Sequence, residues 1–579
     1  MCGAMASCLL GGVMRRRDDV TCGDRSVFLI PFSSFPWGGW LAMVPQGALG
    51  LRSCSYAQRH LSLSVMAHGG VPTQIGPQND STTTTSYVGY LSGAINAILA
   101  KTTAATQVLG LKSETESKGP SKAVVTETSE GGAPTKAQFL KHTFKKRISR
   151  TEVTNKTRAL VKKLLVAETS SSKLLRIQEL SSHIISYPPT RIIAAQKPRL
   201  IADLLTIVTS PDSSPELRAE ARQCLTLCGC QPAVKSKGVS LLSIDGGGTR
   251  GMMGLEVLEQ FERISGKKIC ELFDHVIGVS TGSIIASLLV GKGYTIKECR
   301  DVYMDVSKKL FSQNRLTGVS GIVLNHSYYD TKKWVKMLKE VIGEDLTIIE
   351  TSKYPVPRLS IVASIVNSPV LQPFVFRNYE PPAGRDSHYL GSTAHHLWQA
   401  IQASAAAPLY FEEVQLGNFL LQDGGVIANN PTAIGIHEAK LLWPEERFHC
   451  VVSVGNGRSV CDLESEEDAA PSSLSSLQKF NRIVDSATNT EGVHMCMHDL
   501  LDENVYFRLN PYMTFPYGLD EIDPKKLEQM QNDAKLYVRR NALKIEDAVS
   551  RLLEKPHLLQ RTMRWFEEWM DRRGMYSPR

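Results

Sequence analysis

No stretch of this chain is both apolar and free of helix breakers for the length that a membrane span requires. Between Arg25 and Arg52 there is no charged residue, but Pro31, Pro36 and Pro45, with Gly38, Gly39 and Gly47, interrupt the run. A continuous helix does not tolerate them. Cysteine is sparse: twelve in 579 residues, scattered. Cys224, Cys228 and Cys230 cluster, but their spacing is not a usual zinc pattern and no paired histidines follow. They read as small buried thiols on a helix. Without a disulfide framework, a reducing compartment is expected. There is no EF-hand spacing or carboxylate cluster for calcium and no G-x-x-x-x-G-K-[ST] loop for ATP. Nor does a nucleic-acid recognition module accompany the basic residues. The expectation is therefore no metal, no cofactor and no nucleic-acid partner.

What is present is unevenly distributed. The net charge is a mild +8. Residues 1–70 carry Arg15, Arg16, Arg17, Arg25, Arg52 and Arg59 against only Asp18, Asp19 and Asp24. An Arg- and Ser-rich, acid-poor leader is expected there, of mitochondrial or other intracellular address. Met14, Met43 and Met66 are alternative starts. Residues 71–135 are rich in Ser, Thr, Gly and Lys and lack the apolar density for a core, so they read as a disordered linker. The apolar island "YVGYLSGAINAILA" within it reads as an interfacial helix.

Residues 136–237 form a basic and helical region. From Lys136 to Lys163 ten Lys/Arg face one acid, Glu152, with apolar residues between them. That composition suits either an anionic membrane surface or a solvated helix face. Leu174, Ile177, Leu180 and Ile184 then recur at helical spacing. Ser214-Pro215-Glu216 is a helix start: N-cap, first-turn proline, first-turn acid. Short helices joined by Pro-rich turns suggest an armadillo- or HEAT-like segment.

From residue 238 to 579 strand and helix patterns alternate. "VSLLSIDGGGTRGMMGLEVLEQF" and "HVIGVSTGSIIASLL" each read as buried strand, glycine turn and helix. "PRLSIVASIV", "PFVFRNY" and "HCVVSVGNG" add strands, whereas "HHLWQAIQASAAAP" and "NPTAIGIHEAKLLW" add helices. An α/β layered domain with a mainly parallel sheet follows. After Leu474 the pattern becomes charged and helical. Ligands of such a domain sit beyond the carboxyl ends of the strands, where both glycine turns fall.

Three motifs carry the chemistry. Gly278-Val279-Ser280-Thr281-Gly282 is a G-x-S-x-G nucleophile elbow in strand–turn–helix context. Gly246, Gly247 and Gly248, at the start of a helix, offer backbone N–H groups to a developing oxyanion. Arg250 follows, as a phosphate contact or a structural ion pair. The same residues satisfy G-x-G-x-x-G, but the acids at the spacing a dinucleotide site needs, Glu271 and Asp274, precede the next strand instead of ending it. In "LLQDGGVIANNPT", Asp423 ends an apolar run before two glycines. It reads as an Asx-turn, or as a carboxylate aimed into the cleft. A Ser…Asp…His order would need a histidine after Asp423. His437, His449, His494 and His498 are available, but none sits in an evident tip loop. The favoured arrangement has Asp423 take the Ser280 proton directly. Partial burial would raise its basicity above that of a free carboxylate.

With "SIDGGGTRG", "GVSTGS", "ASAAAPLYF" and "DGGVIANNPT" in this order, residues 238 to about 575 resemble the patatin-like phospholipases. The resemblance implies a three-layer α/β/α fold, Ser280 as nucleophile, Asp423 as general base and Gly246–Gly248 as oxyanion hole. It implies release of fatty acid from membrane glycerophospholipids without calcium, through an acyl-serine, with a phospholipid surface and lipid esters as partners. Residence at mitochondrion or endoplasmic reticulum would accord with that. Members often end in a Ser-Lys-Leu-type peroxisomal tripeptide; this chain ends Ser577-Pro578-Arg579. Other substrates (triacylglycerol, lysophospholipid, acyl-CoA) and a membrane scaffold with incidental activity are the competing readings.

Overall fold

A computed structural model describes residues 149–312, 328–459 and 490–575. The leader 1–70, the linker 71–135, the basic residues 136–148 and the tripeptide 577–579 lie outside the described residues.

The described chain begins with helices. In α1 (Arg150–Leu165), Ser149 accepts the Glu152 N–H, and Lys162 and Lys163 occupy the last turn. Acid at the start and base at the end both oppose the helix dipole. Thr169 caps α2 (Ser170–Ser186) in the same way. Helices α3 (Pro198–Thr209) and α4 (Pro215–Leu227) open on prolines, whose missing N–H is no loss in a first turn. Ser214 accepts the Leu217 N–H, as the Ser-Pro-Glu pattern predicts. Their apolar sides bury Ile177, Leu180, Ile184, Leu200, Leu204 and Cys224 in a core of their own. Cys224 and Cys228 are buried and unbridged.

The sheet follows. Strands β1 (Val239–Ile244), β2 (His275–Val279) and β3 (Arg358–Ile365) are buried at every residue. Next come β4 (Gln372–Arg377), β5 (Leu390–Ser392), β6 (Val414–Leu416), β7 (Phe419–Asp423) and β8 (Phe448–Val454). Arg458–Ser459 (β9) pairs with Tyr512–Met513 (β11) in a separate two-stranded ribbon, and β10 (Tyr506–Leu509) joins the main sheet. The order is β10-β8-β1-β2-β3-β4-β5, with every pair from β10 to β3 parallel. Strand β4 is antiparallel to β3, and β7 is antiparallel to the last residues of β3. The sheet is therefore mixed but mainly parallel.

Burial on both faces explains why the strands read as continuous apolar runs. Leu241, Ile277, Val362 and Val451 face α10 (Thr432–Leu442), whereas Leu242, Val276, Ile361 and Val452 face the larger helical layer. That layer includes α5 (Gly251–Ser265), α6 (Thr281–Ala286), α7 (Ile296–Phe311), α8 (Thr331–Ile342) and α9 (Leu397–Ser404). A three-layer α/β/α arrangement results. The end of the chain adds α11 (Glu491–Leu500), α12 (Pro524–Arg540), α13 (Ala542–Leu553) and α14 (Leu558–Arg572). Among the described residues, no helix is long and apolar enough to cross a membrane.

Two strands, β10 and β11, depart from the purely helical reading of the C-terminal part. β10 pairs with β8 although it carries Arg508. The charge hides the strand pattern in sequence, yet Arg508 is buried because its guanidinium meets the buried Asp245 carboxylate at 2.6 Å. A buried charge with a bonded partner is tolerated where an isolated one is not.

Candidate active site

Strand β3 brings the site together. On one edge it pairs with β4; on the other it pairs first with β2 and then with β7. β2 ends with Val279 opposite Val362, and β7 ends with Asp423 opposite Ala363. The two strands thus arrive end to end along one edge, and Ser280 emerges beside Asp423. Ser280 Oγ donates to Asp423 Oδ2 at 2.6 Å.

The backbone of Ser280 is strained, with φ 52° and ψ −122°. A non-glycine residue holds such a conformation only when its surroundings enforce it. Here they do. The Ser280 N–H donates to Ser404 Oγ, which itself donates to the Val362 carbonyl, and the Ser280 carbonyl accepts from Ser283. The elbow glycines are required by space: a Cβ on Gly278 would lie 2.3 Å from the Gly282 carbonyl oxygen, and one on Gly282 would lie 2.2 Å from that of Ile244.

Asp423 uses its two carboxylate oxygens differently. Oδ1 accepts the Gly425 N–H at 2.7 Å, a local Asx-type turn, and leaves Oδ2 for Ser280. Burial pushes the Asp423 carboxyl up to about 6, against the opposing pull of its bonds from Ser280 and Gly425. That makes it a better proton acceptor than a free aspartate, while still ionised at neutral pH.

The glycine loop lies over the serine. A Cβ on Gly246 would come within 3.2 Å of Ser280 Cβ. Its three amides are not equivalent, however. The Gly246 N–H donates to the Asn429 carbonyl at 3.2 Å, so it is spoken for. Among the described residues no acceptor engages the Gly247 and Gly248 amides. Arg250 is turned back on the loop, where Nε donates to the Gly247 carbonyl at 3.1 Å. That bond braces the loop.

None of the four histidines contacts the pair. His437 Nε2 accepts the His388 N–H and its ring meets Tyr389 edge-on. His449 bonds the Arg551 carbonyl; His494 packs on Tyr506 and His498. Glu271 and Asp274 are likewise structural. Asp274 accepts the N–H groups of Lys235, ahead of β1, and of Ser240, within it, and Glu271 accepts the Lys268 N–H.

Sequence reasoning missed the supports. Asn456 Nδ2 donates to the Asp245 carbonyl, the Thr249 N–H reaches the Leu519 carbonyl, and the Tyr303 hydroxyl bonds the Gly248 carbonyl and Thr281 Oγ1. The glycines flanking Asn456 were the one available signal; nothing local marks Tyr303 or Leu519.

Residues 242–436, which hold the elbow, the glycine loop and the aspartate, match the family model described as patatin-like phospholipase. This part of the chain belongs to the patatin-like phospholipase family. The chain is 38% identical over 423 residues to calcium-independent phospholipase A2-gamma of Oryctolagus cuniculus, covering 72% of this chain and 53% of that protein. The Homo sapiens protein of the same name is 38% identical over 422 residues, with the same coverage. Phospholipase A I of Arabidopsis thaliana is 28% identical over 413 residues, covering 60% of this chain and 31% of that protein. The chain thus spans about half the length of the A2-gamma proteins that it matches. Within the patatin-like domain, the serine and aspartate fall on the two strand ends described above.

Proposed function

We propose that the protein is a calcium-independent phospholipase that releases fatty acid from membrane glycerophospholipids through a Ser280–Asp423 dyad. The observation that carries the reading is the 2.6 Å bond from Ser280 Oγ to Asp423 Oδ2, in an elbow held by Ser404.

The steps follow from the geometry. Asp423 accepts the hydroxyl proton as Ser280 Oγ attacks the ester carbonyl carbon. The Gly247 and Gly248 amides receive the oxyanion, at a typical value of about 10²–10³ in rate per donor. Collapse breaks the ester C–O bond; the lysophospholipid leaves as the alcohol, carrying the proton back from Asp423. Water then adds to the acyl-serine, giving its proton to Asp423, and the fatty acid departs as Ser280 is reprotonated. No histidine takes part.

The phospholipid surface is part of the proposal. Helix α14 meets the protein with its polar side: Gln560 donates to the Lys237 carbonyl, and Arg564 to those of Val234 and Ser236. Leu558, Leu559, Met563, Trp565 and Phe566 are left exposed. Helix α14 packs on α3, as does the basic α1, whose Lys156, Arg158, Lys162 and Lys163 are exposed. Apolar and basic surface on neighbouring helices suits an anionic bilayer. These contacts precede β1, at the amino ends of the strands, so this surface would tether the protein and not feed the cleft. A mitochondrial or endoplasmic-reticulum address rests on residues 1–70, and a fluorescent fusion with and without them tests it.

The function is tested by fatty-acid release from phospholipid vesicles in excess chelator. Wild type should be active, Ser280→Ala and Asp423→Asn should lose on the order of 10³-fold or more, and His437→Ala should stay near wild type. A wild type inert toward every lipid ester would leave the scaffold reading in its place.

A further inference from the structure

We propose that Tyr328, Tyr410 and Asp520 form a subsite at the mouth of the cleft for the cationic head group of the substrate, a quaternary ammonium of the choline type. The inference rests on the hydrolase reading and adds which head group is selected and by which residues.

The first observation is where these residues stand. Two catalytic segments lead to them. The Asp423 N–H donates to the Ala406 carbonyl, and Tyr410 follows four residues later in the same loop. From the other direction, the Thr249 N–H of the glycine loop donates to the carbonyl of Leu519, next to Asp520. From Gly246, which abuts Ser280, to Gly248, which abuts Leu519, is two residues, at most about 8 Å of chain. A head group joined to the attacked ester through glycerol and phosphate spans a comparable distance.

The second observation is the chemistry gathered there. The Tyr328, Tyr329 and Tyr410 rings meet in turn, with centroids 4.9 and 6.1 Å apart. Tyr329 is buried, whereas Tyr328, Tyr410 and Asp520 are half-buried. The Tyr329 hydroxyl donates to Asp520 Oδ2 at 2.6 Å. Burial, and then the Asp520 carboxylate, hold that hydroxyl well above its ordinary value. Burial and Asp520 raise the Tyr410 hydroxyl too, against the opposing pull of Arg250. The phenols therefore stay neutral, and the carboxylate carries the charge. A cation gains from an aromatic face and from a carboxylate together. A methylated ammonium has no N–H to donate, so aromatic rings suit it better than hydrogen-bond acceptors do. Arg250, close enough to oppose the shift of Tyr410, has the sign that the head group's phosphate requires.

The third observation is strain. Among the described residues, three that are not glycine have positive φ: Ser280, Leu409 and Asn504. The first is the proposed nucleophile. Leu409, at φ 70°, directly precedes Tyr410. Its carbonyl accepts the Tyr328 N–H, and the Tyr410 carbonyl accepts that of Tyr329. A bulky residue adopts this conformation only under constraint, and such strain gathers at functional sites. Here it fixes the backbone of Tyr410 to that of the other two tyrosines.

The test is head-group selectivity in purified full-length protein. The kcat/KM values for dioleoyl phosphatidylcholine, phosphatidylethanolamine and phosphatidylglycerol in neutral-detergent micelles are compared for wild type, Asp520→Asn and Tyr410→Leu. Asp520→Asn keeps an acceptor for Tyr329 and removes the charge, so the choline-to-glycerol ratio should fall about fivefold. Tyr410→Leu removes a ring, so the choline-to-ethanolamine ratio should fall, and Tyr410→Phe should restore it. Binding supplies a readout independent of turnover. In saturation-transfer NMR, glycerophosphocholine with Ser280→Ala should give choline methyl signals, and adding Asp520→Asn should weaken them. Ratios and signals unchanged in folded variants would reduce the tyrosines to packing and overturn the subsite, although hydrolysis itself would stand. If wild type hydrolyses no lipid ester while the choline signal still depends on Asp520, the hydrolase reading fails and the subsite remains. Should Tyr410→Leu not fold, Asp520→Asn decides alone.

Discussion

Ser280 and Asp423 are 143 residues apart in the chain and 2.6 Å apart in the structure. The cause is a single edge of β3, on which Val279 stands opposite Val362 and Asp423 opposite Ala363. Two strands that end on consecutive residues of a third must bring their tips together. The placement of the pair depends on backbone register more than on side-chain rotamers.

The acid limb of the activity should report Asp423. Its carboxyl is raised to about 6 by burial, and in the proposed mechanism the carboxylate form is the base. Below that pH the protonated fraction grows, and kcat/KM should fall about tenfold per pH unit. A profile flat from pH 7 down to 4.5 would contradict the assignment of Asp423 as base.

Ser404 should behave as a positioning residue. Its hydroxyl links the Ser280 N–H to the Val362 carbonyl. In Ser404→Ala the strained elbow loses that acceptor, so kcat should fall about tenfold, with KM little changed. Equal losses in kcat and in thermal stability would instead indicate a merely structural hydroxyl.

Gly282→Ala should be severe. The added Cβ would sit 2.2 Å from the Ile244 carbonyl oxygen and 2.7 Å from that of Asp245, both main chain and unable to swing away. A loss of about 2–4 kcal/mol is expected by denaturant titration. An unperturbed midpoint would mean that β1 and the elbow can separate without cost.

The Asp245–Arg508 pair underlies the glycine loop from behind. Both side chains are almost wholly buried. Burial raises Asp245 to about 6 even with the guanidinium beside it. Arg508→Met should cost about 3–5 kcal/mol by stranding a buried carboxylate, whereas Arg508→Met with Asp245→Asn should recover part of the loss. Melting curves of wild type and the two variants make the comparison.

Binding to vesicles should separate two contributions. Trp565→Ser with Phe566→Ser removes exposed apolar surface and should weaken binding at any salt. Lys156→Glu with Lys162→Glu should weaken it mainly at low ionic strength, where screening is least. Co-sedimentation with anionic liposomes at two salt concentrations distinguishes them, and binding untouched by either pair would remove this face from the membrane reading.

The sequence by itself determined what depends on short-range pattern. The parallel strands were legible because burial on both faces requires unbroken apolar runs. Ser214-Pro215-Glu216 was legible because caps act within one turn, and the elbow because glycines must flank a serine held at positive φ. Asp423 could be picked out, too, by the glycines that follow it. Tertiary structure alone decided the rest. The meeting of β2 and β7 on one edge of β3 is a long-range register, and no local pattern encodes it. Strand β10 was hidden because Arg508 can be buried only once Asp245, from a distant strand end, is there to receive it. The bond of the Gly246 amide to the Asn429 carbonyl was hidden for the same reason: Asn429 is brought to the glycine loop only by the folded sheet.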